Sequence, residues 1–286
     1  MRIDKVNELT EEQKKQIEEL ESMCFEKEGL ENHLFLSNEI NYDRSIPVFY
    51  MAYEKDQLIG FLTIFIPTRE EAEISAIVHP DYQRRGIFTE LDQAARQVIA
   101  ENNIDRILYS VETKSKNAQG VLKSWHISKI RRSEYRMKMS KEKILKDSET
   151  YQKDASFQLE RVTESTIQKY LEISNKAFGE EEDIGFADTL MNSNSRMGYA
   201  FFKDNEIIGT VAIGLEEKEP FIYGVAIDTR QRGNGYAKYL MEQACLIGIQ
   251  HGDTLQLDVD SENPVAFHLY QNMGFEITFQ VDYYEK

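Results

Sequence analysis

The sequence predicts an α/β (α+β) chain of two tandem domains, each a mixed, mostly antiparallel sheet flanked by helices. Three observations carry that expectation. A length of 286 residues suits about two domains. An order of strand, glycine turn, helix, strand and helix occurs once in each half. Between the halves, residues 140–156 are almost wholly polar and read as a strand end plus linker. The expected division is therefore a first domain over 1–145, a linker over 146–156 and a second domain over 157–286. Either domain, at roughly 130 to 150 residues, can bury about two thirds of its surface.

In the first half, Glu11 to Cys24 reads as a helix, since Ile17, Leu20 and Cys24 are apolar at helical spacing. Val48 to Tyr53 and Leu58 to Ile66 form a hairpin around Lys55-Asp56-Gln57. Ile74 to Val78 is a short apolar strand. It runs through His79 to Gly86 into a helix whose Leu91, Ala94, Ala95 and Val98 make one face. Ile104 to Val111 and Tyr135 to Met139 are later strands. The second half repeats the pattern. A helix lies near Ile167 to Phe178, strands Tyr199 to Phe202 and Ile207 to Gly214 flank Lys203-Asp204-Asn205-Glu206, and a third strand spans Phe221 to Ile227. A helix with Ala237, Leu240, Met241, Ala244 and Cys245 on its apolar face follows, then the strand Leu255 to Val259. Pro264 suits the first turn of a last helix, which Asn263 can cap and Gly274 can end.

The most telling stretch is Arg232-Gly233-Asn234-Gly235-Tyr236-Ala237, where a strand turns into a helix. Backbone N–H groups at such a turn, with the unsatisfied N–H groups of the helix start, make a cradle for a diphosphate. The segment lacks the Lys-Ser/Thr end of a nucleotide P-loop and the three-glycine pattern of a dinucleotide fold. In the last helix Ala266 and Tyr270 share a face at i and i+4, which fixes a tyrosine beside the preceding strand end.

A net charge of −16 speaks against nucleic acid or an anionic membrane as partner. Residues 157–286 hold 10 Lys and Arg against 22 Asp and Glu, which leaves −4 for residues 1–156. Such an acidic second half would attract an amine, or is simply a solvated face. The two cysteines, one per half on apolar helix faces, imply a reducing compartment without a disulfide framework. Cys24 and Cys245 lack a local base and read as core. The five histidines show no metal-site spacing. Asp4 and Glu8 precede any apolar run and no segment approaches 18 apolar residues, so the expectation is a cytoplasmic, metal-free protein without signal peptide or membrane span.

The turn and the last helix together resemble the GCN5-related N-acetyltransferase (GNAT) family. The family's Gln/Arg-x-x-Gly-x-Gly/Ala motif falls on Arg232, Gly235 and Ala237. Its later Asn-x-x-Ala-x-x-hydrophobic-Tyr-x-x-x-Gly-Phe motif falls on Asn263, Ala266, Leu269, Tyr270, Gly274 and Phe275. The resemblance runs from roughly Phe157 onward. The first half carries a partial echo: Gln83 and Gly86 match, but Phe88 replaces the small residue. Asn117 is set against Asn263, no tyrosine stands near the place of Tyr270, and Trp125-His126-Ile127 occupies that of Gly-Phe. The resemblance thus implies a degenerate first domain and a catalytic second one.

What the resemblance implies for chemistry is direct attack of an amine on the thioester of acetyl-CoA, with no covalent acyl-enzyme. The backbone from Gly233 through Asn234, Gly235 and Tyr236 to Ala237 would hold the pyrophosphate, with Gln83 and Gly86 as first-half counterparts. The Val225 N–H would meet the thioester oxygen, and Ala226 and Ile227 would pair with the pantetheine arm. Asn263 would cap its helix, contact the cofactor arm, or do both. Tyr270 is the expected general acid, since a phenol near pKa 10 lies roughly two units or less above a CoA thiol. For the base, Glu219, Asp258 and Asp260 are open, with Glu219 ranked first because Pro220 fixes its approach; the family's usual strand glutamate falls at Phe221. Tyr223 is either part of the acceptor pocket or core. The acceptor groove is expected over Ser174 to Arg196, where the acids at 180–183 either meet a cationic amine or cap the next helix. The acceptor is an amine of a small molecule or peptide. The alternatives are an acyl-CoA-binding or sensing protein with little turnover, and a transferase using another acyl donor.

Overall fold

Thr10 opens the first helix, α1 (Glu11–Glu28), with a capping box: its side chain accepts from the Gln13 N–H while the Gln13 side chain accepts from the Thr10 N–H. Gly29, in the left-handed region, closes it. The computed structural model describes residues 1–39, 41–151, 154–179, 184–215 and 219–286, with backbone alone at 184–186. They group into two units, Met1–Glu134 with Phe279–Lys286, and Tyr135–Thr278.

In the first unit, β1 (Arg2–Val6), β2 (Phe49–Glu54), β3 (Gln57–Phe65) and β4 (Glu71–Val78) pair antiparallel in that order. α2 (Ile87–Glu101) returns the chain so that β5 (Arg106–Glu112) lies parallel to β4, and α3 (Lys116–Trp125) follows. Residues 281–285, from β12 (Glu276–Glu285), pair antiparallel with β5. The core packs Tyr50, Phe61, Leu62 and Ile64 of the sheet with Leu20 of α1 and Leu91 of α2.

The second unit repeats this plan: a mixed, mostly antiparallel sheet flanked by helices. β7 (Phe157–Arg161), β8 (Arg196–Lys203), β9 (Glu206–Gly214) and β10 (Phe221–Ile227) pair antiparallel in that order. α5 (Ile167–Phe178) and α6 (Ile184–Asn192) lie between β7 and β8 in the chain. α7 (Tyr236–Gly248) leads to β11 (Thr254–Asp260), parallel to β10, and then α8 (Pro264–Met273). β6 (Ile130–Ser140) neighbours β11. Asp204 and Asn205, both left-handed, make the two-residue β8–β9 hairpin turn. Leu240, Met241, Ala244 and Cys245 of α7 pack on one sheet face with Phe201, Val211 and Leu257; Tyr170 of α5 packs on Ala200 and Ala212 of the other.

Two features differ from expectation. The polar stretch begins with a helix, α4 (Lys141–Ser148), which Ser140 caps by accepting from the Lys143 N–H and which buries Ile144. The units divide at 134/135 and 278/279, because the last strand segment pairs with β5. Among the described residues no helix is long and apolar enough to cross a membrane.

Candidate functional site

The two strand-to-helix turns adopt one backbone shape from different residues. In the second unit Gly233 (φ 82°) and Gly235 (φ 77°) are left-handed; at the matching places of the first stand Arg84 (φ 64°) and Gly86 (φ 83°). Asp228 and His79 each cap the short 3₁₀ turn that enters the loop, accepting from the N–H groups of Arg230 and Asp81. Arg232 Nε donates to the Ile227 carbonyl at 3.1 Å, and Gln83 Nε2 donates to the Val78 carbonyl at 3.2 Å. The Gln/Arg position therefore ties the loop to its strand end. The side-chain bond from Arg230 holds the Asp228 carboxyl well below the usual carboxylate range. A Cβ at Gly86, Gly233 or Gly235 would meet nothing within 4 Å, so the backbone there faces open space, as a cradle for an anion requires. Asn234 Nδ2 bonds the Gln231 carbonyl at 3.0 Å, and the Tyr236 ring packs 5.2 Å from Phe157.

Between β10 and β11 the parallel register holds at Phe221 and Gln256 alone, so Val225, Ala226 and Ile227 are unpaired on that side. On the other side Ala226 and Ile227 pair with Thr210 and Gly209, and the register shifts between Tyr223 and Ala226. In the first unit β4 pairs with β5 only up to Ile74 and with β3 without any shift.

Asn263 Oδ1 accepts from the Ala266 N–H at 3.1 Å and caps α8; Gly274, left-handed, ends it. Tyr270 is 6% exposed and packs on Phe275. Burial pushes its phenol up to about 12 rather than leaving it near 10, so it stays protonated at neutral pH but is a weaker acid, further above a CoA thiol, than the sequence expectation took it to be. Its hydroxyl makes no hydrogen bond to any described residue. In the first unit the residue that caps α3 is Ser115, accepting from the Ala118 N–H, and not Asn117. Asn117 sits inside the helix, where its own N–H bonds Glu28 of α1. With that register Leu122 stands in the place of Tyr270 and left-handed His126 in that of Gly274.

The three carboxylates open as the general base, Glu219, Asp258 and Asp260, are each engaged. Glu219 pairs with Lys138 at 3.0 Å, and Asp258 takes a two-pronged bond from Arg136. Asp260 accepts from the Glu262 N–H at 2.7 Å. Tyr223 is half-buried against the α5 cluster. The acids at 180–183 lie outside the described residues. Both cysteines are buried, which pushes the Cys24 thiol up to about 11 and raises that of Cys245.

Sequence reasoning passed over Glu73 of β4. Burial pushes its carboxyl up to about 7 against the opposing pull of Arg132, with Glu71, Glu134 and Tyr283 close by. Below its ordinary value of 4.5, folded and unfolded chains both hold the proton and Glu73 adds no pH dependence. Between 4.5 and about 7 only the folded chain holds it, so stability falls as pH rises and the loss is complete above about 7. Melting curves of Glu73→Gln are accordingly expected to change less than wild type between about pH 5 and about pH 7; an equal slope in both proteins would refute this source. Around the first-unit turn a cleft of ≈ 500 Å³ opens, lined by Gln83, Gly86, Phe88, Leu122 and Trp125 and reaching Cys24 and Leu30 on the α1 side. Phe88 does pack inward, its ring 5.6 Å from that of Trp125.

Comparison with known proteins agrees with the repeat and with the family resemblance. The family described as the acetyltransferase (GNAT) family matches residues 14–126 and again 163–275. A GCN5-related N-acetyltransferase from Sphaerobacter thermophilus shares the fold with a TM-score of 0.72 at 15% identity, over 95% of this chain and 91% of that one. A tandem GNAT protein from the clavulanic acid biosynthesis pathway gives 0.71 at 12% identity, over 100% and 98%. A GNAT-family acetyltransferase from Colwellia psychrerythraea gives 0.67 at 11%, over 100% and 99%. No curated protein matches the chain.

Proposed function

The chain belongs to the acetyltransferase (GNAT) family, and from that premise we propose that it is an acetyl-CoA-dependent N-acetyltransferase whose second unit transfers the acetyl group to an amine of a small molecule or peptide. The observation that carries the reading is the interruption of β10 at Gly224 and Val225, beside an anion cradle and within the same unit as a buried tyrosine with no hydrogen-bond partner among the described residues. Acetyl-CoA supplies the activated thioester. The N–H groups from Gly233 to Ala237 would hold its pyrophosphate; Ala226 turns its backbone groups to Thr210 of β9, so Ile227 is the one of the pair that would hydrogen-bond the pantetheine arm along the edge of β10 that β11 leaves open. The Val225 N–H receives the oxyanion that forms as the amine attacks, the donor most valuable to the transition state. Asn263 keeps α8, and with it Tyr270, in place. Tyr270, fixed as a neutral phenol, donates to the departing sulfur. Glu219 takes the amine proton, directly or through water, when an incoming ammonium competes with Lys138 for its carboxylate. Two buried free thiols suit a reducing, cytoplasmic setting.

The test is thiol release from acetyl-CoA over a panel of amines, with mass analysis of any co-purified CoA species. Acetylated product with at least one amine supports the reading. A bound CoA thioester without turnover on any amine would favour the binding protein instead. A second reading is favoured by the first-unit cleft: the Gln83–Gly86 turn holds an acyl-CoA of its own. Calorimetry separates the two, since two CoA equivalents per chain mean that both turns bind and one means that a single turn does.

A further inference from the structure

Thr210 is the one hydroxyl in the otherwise apolar core of β9, Ile207-Ile208-Gly209-Thr210-Val211-Ala212-Ile213, and it is completely buried. A hydroxyl buried without a partner is destabilising, so the group it bonds matters. Its Oγ1 donates to the Gly224 carbonyl oxygen at 3.1 Å. That carbonyl lies in the β-bulge of β10. Ala212 pairs with Tyr223 and Thr210 with Ala226, so Val211 alone stands opposite both Gly224 and Val225. Gly224 has φ 62°, the left-handed first residue of a glycine-type bulge.

The Gly224 carbonyl and the Val225 N–H belong to one peptide unit. In a planar trans peptide they point in opposite directions. A hydroxyl on β9 that pins the carbonyl toward β9 therefore turns the N–H away from β9, toward the gap that opens between β10 and β11. The first unit lacks this device: Phe61 stands at the place of Thr210, Ala76 alone at that of Gly224 and Val225, and the β3–β4 register runs unbroken.

We propose that Thr210 is a positioning residue for acyl transfer, aiming the Val225 N–H at the thioester oxygen by holding the other end of its peptide. This rests on the second-unit reading given above. Oxyanion-hole donors are worth about 100 to 1000-fold in rate, and a donor left in place but misaimed should forfeit roughly 10 to 100-fold. Thr210→Val is thus expected to lower turnover by that factor while the acetyl-CoA dissociation constant changes by less than about threefold. Thr210→Ser, which keeps the hydroxyl, should stay within about threefold of wild type in both. The infrared stretch of bound [1-13C]acetyl-CoA gives a readout that packing alone would not move. It should sit lower in wild type and Thr210→Ser than in Thr210→Val. If the valine variant does not fold, Thr210→Ala, which crowds nothing, carries the same expectations. Wild-type turnover and carbonyl frequency in Thr210→Val or Thr210→Ala would overturn the proposal, as would loss of acetyl-CoA binding in step with turnover. A failure of the underlying reading looks different: Gly235→Val would then keep both binding and turnover.

Discussion

Gly235→Val is expected to abolish turnover and acetyl-CoA binding while the second unit stays folded. The residue has φ 77°, a region that a β-branched side chain adopts only under strain of about 1 to 2 kcal/mol or more. A domain of this size has roughly 5 to 15 kcal/mol to lose, and a Cβ here touches no core atom within 4 Å, so folding survives the change. The cradle does not. Gly235 is the N-cap of α7, and relieving the strain rotates the N–H groups on either side of it out of their common aim. Calorimetric titration with acetyl-CoA and a melting curve on the same preparation decide the matter. Normal binding at a retained melting temperature would mean that this turn is not where the diphosphate sits.

Tyr270→Phe should leave acetyl-CoA affinity within a few-fold and lower turnover by roughly 10 to 1000-fold, as loss of a general acid does. The substitution is a clean one. The hydroxyl bonds no described residue, so its removal orphans no partner, and the ring contact with Phe275 is kept. Because burial raises the phenol to about 12, the group acts as a standing donor and the loss should be equal at neutral and moderately alkaline pH. An unchanged rate with the best acceptor amine would remove Tyr270 from the chemistry.

Elements with a strong local period were legible in the sequence almost to the residue. β10 occupies Phe221 to Ile227 and α5 Ile167 to Phe178 as their apolar spacing requires, and Asn263 and Gly274 bound α8 as cap and stop. What escaped depends on distant neighbours. α4 buries only Ile144 in a polar surround, too little for a periodic signal. Ser and Asn cap helices about equally well, so the letter Asn at 117 drew the alignment two residues past the true cap at Ser115. The decisive contacts there, Ser115 Oγ and the Asn117 N–H on the Glu28 carboxylate, come from α1, far away in the chain. Glu73 is an ordinary strand glutamate until Arg132 and Tyr283 close over it. Thr210 reads as a β-branched residue in a strand, and its use appears only with the register of β9 on β10. Glu219 stands beside the strand in the sequence, but Lys138, which engages it, lies on β6.

The claim that transfer belongs to the second unit is tested most directly by the turnover of Gly86→Val beside that of Gly235→Val, both shown to be folded. Gly86 and Gly235 are matched in conformation, φ 83° and 77°, and both face open space, so the two substitutions impose equal local strain. Gly86→Val should keep most of the wild-type rate and Gly235→Val should keep none. A folded Gly86→Val without turnover, next to an active Gly235→Val, would contradict the account and move the chemistry to the cleft around Gln83, Phe88 and Trp125.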